Sequence, residues 1–236
     1  MWEKVFNQLE TLKNPEKAIQ KTKYFKVSEG QYGEGDIFWG LTNPQVHAVA
    51  KENFKSLELS EVSQLLKSEI HEVRFAALSI LVLKYKKLKD SNLKKEIVNF
   101  YLDHIPYINN WDLVDCSTHY IIGPYFLEEK DKSILIGLAE SGHLWSERIA
   151  IISMLHFVKE KSFDFPMYLI EKLLFHKHDL MHKANGWVLR EIWQKGGNEL
   201  VEKFLLKHIS NIPRTTLRYA IEKFPEEKRK YYLALK

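Results

Sequence analysis

Five short stretches of this chain place chemically capable side chains at one recurring position. The anchors are Arg74 in HEVRFAALSIL, Trp111 in NNWDLVDCSTH, Arg148 in SERIAIISML, Lys183 in MHKANGWVLRE and Arg218 in TTLRYAIEKF. Successive anchors lie 37, 37, 35 and 35 residues apart. Asp115 follows Trp111 by four residues, and Trp187 follows Lys183 by four. On a helix, each then sits one turn beyond its anchor on the same face. The expected result is one groove holding two indoles (Trp111, Trp187), a carboxylate (Asp115) and a guanidinium (Arg148), a set that a packed core does not need. Indole faces and carboxylates attract positive charge, while guanidinium groups hold phosphate. Four of the five anchors are cations, and a row of cations down one side of stacked repeats suits a phosphate track. The same spacing equally suits a structural ladder of arginines between repeats. Helical tryptophans often serve as core, and Asp112 and Asp115 could solvate a helix start or pair with a basic neighbour.

A steady period of this size marks stacked helical hairpins. LLKSEIHEVRFAALSILVLKY, WSERIAIISMLHFVK and ANGWVLREIW carry apolar residues at three- and four-residue spacing. No segment alternates convincingly as a strand. The expected fold is all-α: a superhelical solenoid of about twelve to fourteen helices in antiparallel pairs. A solenoid has no single globular core, so residues 1–236 read as one domain. Punctuation predicts helix starts at Asn14-Pro15, Asn43-Pro44, Ser60 and Ile212-Pro213, and a break at Gly196-Gly197. Pro124 is expected to kink or end its helix. Within WDLVD, Leu113 and Val114 are the expected core-facing positions.

One stretch lacks helical period. Residues 24–44, YFKVSEGQYGEGDIFWGLTNP, are rich in glycine and aromatics and read as a structured loop, with its Gly-rich part at about 28–42. It contains G-x-x-G-x-G, but no strand precedes it and no βαβ unit surrounds it, which argues against a nucleotide cradle.

The chain carries 45% hydrophobic residues and a net charge of +4. Residues 171–236 hold 14 Lys and Arg against 8 Asp and Glu, a net of +6. Such a basic stretch could face phosphate or be ordinary scatter on solvated helices. No apolar run approaches the roughly 20 residues of a membrane span. The first residues, MWEKVFNQLETLKNPEK, lack the apolar core of a signal peptide, and the lone Cys116 forms no internal disulfide. A reducing cytoplasm is the expected location.

WDLVD, then WSERIA, then KANGWVLRE, and finally IPRTTLRYAIEKF together resemble the AlkD-type DNA alkylation-repair glycosylases, which are built from HEAT-like repeats. The likeness runs over essentially the whole chain and is strongest from about residue 70. It implies a concave face that wraps duplex DNA, and excision of cationic N3- or N7-alkylated purines in a nucleoid setting. It also implies that the modified base stays outside any pocket. Residue by residue, the resemblance assigns Trp111 and Trp187 as active-site indoles, Asp115 as the catalytic carboxylate and Arg148 as its neighbour. Asn110 stands where the family usually has another Trp. Lys183, Arg190, Arg214, Thr215, Arg218 and Arg74 are the expected DNA contacts. No metal, cofactor or obligate protein partner is expected, and the molecule reads as a monomer.

Three other functions fit parts of the sequence. A non-catalytic relative could bind bent or branched DNA through the same groove. Helical solenoids commonly act as protein scaffolds, and the cations would then meet an acidic peptide. His176, His178, Asp179 and His182 form H-x-H-D-x-x-H, but no H-E-x-x-H motif or cysteine ligand accompanies them, so they read as surface histidines at a helix start. Trp145 and Trp193 occupy apolar positions expected to be core, and Trp39 is expected to pack the Gly-rich loop down.

Overall fold

The computed structural model describes all of residues 1–236, and its regular structure is helical apart from one isolated bridge, Ile37 to Ile70. Fifteen α-helices and one 3-10 turn are present. The surplus over the expected count comes from short elements with too few turns to show a period.

The chain forms two compact units, Met1–Ile121 and Ile122–Lys236. The first contains α1 (Trp2–Glu10), α2 (Pro15–Tyr24), α3 (Asn43–Asn53), α4 (Leu59–Leu66), α5 (His71–Lys87), α6 (Ser91–Asp103), a 3-10 turn (Ile105–Tyr107) and α7 (Trp111–Asp115). The boundary falls inside α8 (Thr118–Glu128). The second unit continues with α9 (Ser133–Ala139), α10 (Leu144–Lys159), α11 (Asp164–Leu173), α12 (Asp179–Gln194), α13 (Asn198–His208), α14 (Arg214–Ala220) and α15 (Glu226–Ala234).

Each unit is organised around helices buried on every side. In the first, α5 is enclosed from His71 to Val82 and packs against α3 and α4. In the second, α10 is enclosed from Trp145 to Met154 and packs against α9, α11 and α12. A helix apolar all round belongs at the centre of its layer. The five anchors fall on α5, α7, α10, α12 and α14. Within the second unit, α10, α12 and α14 stack in sequence.

The last of these contacts depends on one glycine. A Cβ on Gly186 of α12 would lie 2.4 Å from the Tyr219 Cβ and 2.6 Å from the Thr216 carbonyl oxygen of α14. Alanine normally gains up to about 1 kcal/mol over glycine inside a helix. Here the overlap should reverse that sign, so Gly186→Ala is expected to lose about 1–3 kcal/mol. A urea midpoint equal to or above the wild type would contradict this close packing.

Local signals were mostly placed to within a residue or two. Asn14 caps α2, its side chain accepting from the Lys17 N–H at 3.0 Å. Thr42 rather than Asn43 caps α3, because Gln45 reaches back to the Thr42 N–H at 2.9 Å in a capping box. Glu58 rather than Ser60 caps α4, through the same reciprocal pattern with Glu61. Pro124 neither ends nor splits α8, which runs through it. The Gly-rich segment is an ordered loop, as expected, and Trp39 pins it: its ring is 8% exposed and meets Phe6 edge-on at 5.1 Å.

Candidate active site

The site begins with α7, a helix of only five residues. So short a helix has almost no internal hydrogen bonds of its own, and its orientation must come from its surroundings. Leu113 and Val114 anchor it, both 0% exposed. The Ser117 hydroxyl donates to the Leu113 carbonyl at 2.6 Å and meets the buried Tyr101 hydroxyl at 2.9 Å. With that side fixed, Trp111 and Asp115 are left half-buried on the other. Trp111 stacks on Phe25 at 5.3 Å and 13°, and Tyr24 meets its ring edge-on at 5.9 Å.

Trp111 and Asp115 line one cleft of about 520 Å³ in the first unit, together with Lys51, Lys86, Cys116 and His119. Trp111 and Asp112 also line a second cleft of about 620 Å³ that holds Lys17, Lys21 and Tyr24. Cations therefore flank Trp111 in both. Lys51 and Lys86 were not legible as candidates, because neither lies at the recurring position. Cys116 is no nucleophile here: burial, then the nearby Asp112 and Asp115 carboxylates, push its thiol well up, so it stays protonated.

Beneath α7 lies a buried polar network that sequence patterning did not reveal. His71, 1% exposed, contacts Asp36 through Nδ1 at 3.0 Å and Asp112 through Nε2 at 2.8 Å. Asp36 also takes an ion pair from Arg74 and a hydrogen bond from the Asn110 amide at 2.6 Å. Asn110 is itself 0% exposed and caps α7. Its place opposite Asp36 makes it part of the support beneath the cleft, not the rim. The only advance hint was a run of polar residues, His71, Glu72 and Arg74, opening an otherwise apolar helix.

The network titrates in a defined direction. Burial alone would lower the His71 pKa, but the Asp112 and Asp36 carboxylates outweigh it and raise it above 6.5. Burial alone would raise the Asp36 pKa, but His71, Arg74 and Asn110 outweigh it and hold it below 3.8. The His71 contribution is complete below its ordinary value and is lost as pH rises through the raised folded value. The Asp36 contribution is complete above its ordinary value and is lost as pH falls through the lowered one. Both are therefore in force between pH 3.8 and 6.5. Urea unfolding should show stability declining above pH 6.5 in the wild type and declining less in His71→Gln. Parallel slopes in the two proteins would refute this.

The remaining candidates have diverse surroundings. Arg74 is corrected: it is 5% exposed, and its guanidinium is taken by Asp36 and by the Ser68 and Glu69 carbonyls. An arginine buried this way and held by these partners is turned from the surface where a phosphate would lie, so this end of the expected cation row is structural. Arg148 is 4% exposed and donates to the Leu180 carbonyl at 2.7 Å. Trp187 is half-buried, and its Nε1 donates to Glu191 at 3.2 Å. Lys183 pairs with Asp179 at 2.7 Å, and the Thr215 hydroxyl donates to the same carboxylate at 3.0 Å. Arg190 pairs with Glu222 and Glu191. Arg214 and Arg218 are exposed.

The histidine cluster is tied into the start of α12. His176 contacts Glu147 at 2.9 Å, His178 accepts from the Leu180 N–H at 3.1 Å, and His182 contacts the His176 carbonyl. Trp145 is 7% exposed, and Trp193 is half-buried and stacked on Phe224 at 4.6 Å.

A family model described as DNA alkylation repair enzyme matches residues 5–224. No curated protein sequence matches the chain. Among solved structures, the chain is similar to one described as a predicted DNA alkylation repair enzyme from Enterococcus faecalis. That match has a TM-score of 0.68 at 17% identity, and covers 91% of this chain and 97% of the other. At that identity it speaks for the fold alone.

Proposed function

Because the chain belongs to the DNA alkylation repair enzyme family, we propose that it is a monofunctional DNA glycosylase acting on cationic N3- and N7-alkylated purines in duplex DNA. The observation that carries this reading is the pairing of Trp111 and Asp115 in one cleft, one helical turn apart. An N7-alkylated purine is already positively charged, so it can depart without a general acid. As the C1′–N9 bond breaks, its electron pair returns to the base and positive charge builds on the deoxyribose. Asp115 stabilises that charge and orients the water that adds to C1′, whose proton passes to solvent. The indole face of Trp111 attracts that cationic sugar, and the resemblance gives Trp187 of the second unit an indole contact of the same kind. The resemblance also gives Arg148 a part in the chemistry; within its own unit its buried guanidinium donates to the Leu180 carbonyl and so ties α10 to the start of α12.

Lys183, Arg190, Arg214, Thr215 and Arg218 are the proposed backbone contacts on the second unit, of which Arg214 and Arg218 are the most exposed. Lys183 has a phosphate role here and forms no Schiff base; its ammonium is held by Asp179. The resemblance further suggests that the enzyme grips sugar and backbone and leaves the modified base outside a pocket, which would permit bulky lesions. No helix is long and apolar enough to cross a membrane.

The test is release of free base from a duplex containing N7-methylguanine, in the presence of chelator. Free N7-methylguanine and an abasic site are expected. Tight, salt-sensitive duplex binding without base release would instead identify a non-catalytic DNA-binding relative.

A further inference from the structure

We infer that His71 is a positioning residue: by joining Asp36 to Asp112 it fixes the first turn of α7 and thereby the aim of Trp111 and Asp115 into their cleft. The inference rests on the glycosylase reading for its kinetic consequence but on buried geometry for its substance. His71 reaches α7 by two routes. One is the Nε2 contact to Asp112 at 2.8 Å. The other runs through a stack of rings: Phe25 lies 5.1 Å from the His71 imidazole and 5.3 Å from the Trp111 indole. Phe38 covers the imidazole at 4.5 Å and 29°. The ring is thus confined by two phenyl groups and tethered at both nitrogens.

The two tethers are both carboxylates, and this decides the chemistry. An imidazolium donates to both at once. A neutral imidazole has a single N–H, so one carboxylate would face a lone pair. Deprotonation therefore releases one end of the bridge, either from the loop at Asp36 or from α7 at Asp112. The charged groups around His71 are Asp36 from the loop, Asp112 from α7, and Glu72 and Arg74 from its own helix, with Lys21 of α2 paired to Glu72. A five-residue helix has little internal rigidity to resist such a release. Misplacement of a reacting group by about 1 Å is enough to slow a reaction by roughly 100-fold.

The experiment compares wild type, His71→Gln and Asp112→Ala. Single-turnover release of N7-methylguanine and duplex affinity are measured over a pH series crossing 6.5 and extending upward. The rate should fall by about 10- to 100-fold in both variants, with duplex affinity changed less than about twofold. The wild-type rate should decline on the alkaline side in a one-proton step that both variants lack. A folded variant with the wild-type rate and pH profile would overturn the inference, as would equal losses of rate and affinity. Asp112 is partly exposed, so its variant serves if His71→Gln does not fold. A readout independent of catalysis is the Trp111 indole N–H resonance, assigned with Trp111→Phe. It should move with the His71 titration in the wild type and stay fixed in His71→Gln. Should the wild type release no base, this resonance still decides the matter: coupling to His71 upholds the positioning role, and indifference refutes it.

Discussion

Glu72→Ala is expected to remove about 3–5 kcal/mol of folding stability, a large share of what a domain possesses. Glu72 is buried, and its carboxylate gathers the Gly-rich loop onto α5. Its Oε2 accepts from the Trp39 N–H at 3.0 Å, and its Oε1 accepts from the Gly40 and Leu41 N–H groups at 3.0 and 3.2 Å. Lys21 of α2 adds an ion pair at 3.1 Å. Truncation leaves three backbone donors without their acceptor in the interior, each costing about 1–3 kcal/mol before any water enters. It also removes the ion pair to Lys21, one of the ties between the loop and α2. Gly40 makes this tie irreplaceable by local rearrangement: its φ is +81°, and a Cβ there would lie 2.2 Å from the Asn14 carbonyl oxygen. Glu72→Gln keeps one oxygen and should lose roughly half as much, since only one acceptor becomes a donor. Urea titration checks both. The midpoint should fall with little change in slope. Equal stability of wild type and Glu72→Ala would mean that the loop is held by its Asp36 network, backbone bonds and aromatic packing without help from Glu72.

The loop also shows where sequence reasoning stops. Helices were legible because three- and four-residue apolar spacing reports burial directly, and each recurring anchor does fall on its own helix, from α5 to α14. Leu113 and Val114 were legible as the buried face of WDLVD, and that fixed Trp111 and Asp115 on the other side. Burial of Arg74 and Arg148 was not legible. Their helices are enclosed all round, so the same spacing that marks a groove position also marks an interior one. The Asp36–His71–Asn110 contacts join a loop without period to two helix starts, across 35 and 74 residues of sequence. Nothing local to any of the three residues announces such a partner. The helix does not end at Pro124, since a helix tolerates a proline when packing supplies more than the lost hydrogen bond costs.

The largest functional effect is expected at Asp115. Asparagine preserves the shape of the side chain and its place in the cleft beside Trp111. On the proposed mechanism, it removes the negative charge that faces the developing sugar cation. Loss of one preorganised electrostatic partner in an active site typically slows the chemical step by about 100- to 1,000-fold. Binding should respond differently. Affinity for duplex DNA comes from cations meeting phosphate, and removing an anion does not weaken it. The expected signature of Asp115→Asn is therefore a collapsed rate at full occupancy. Trp111→Phe should fall between the two proteins, since a phenyl ring keeps the Phe25 stack but offers a weaker face to a cation.

The most direct measurement is single-turnover release of N7-methylguanine from duplex DNA by wild type and Asp115→Asn, with both proteins saturating the same duplex. Release by the wild type, and a rate at least about 100-fold lower in the variant, is the predicted result. Equal release by the two proteins would take Asp115 out of the chemistry, and no release by either would contradict the glycosylase assignment itself.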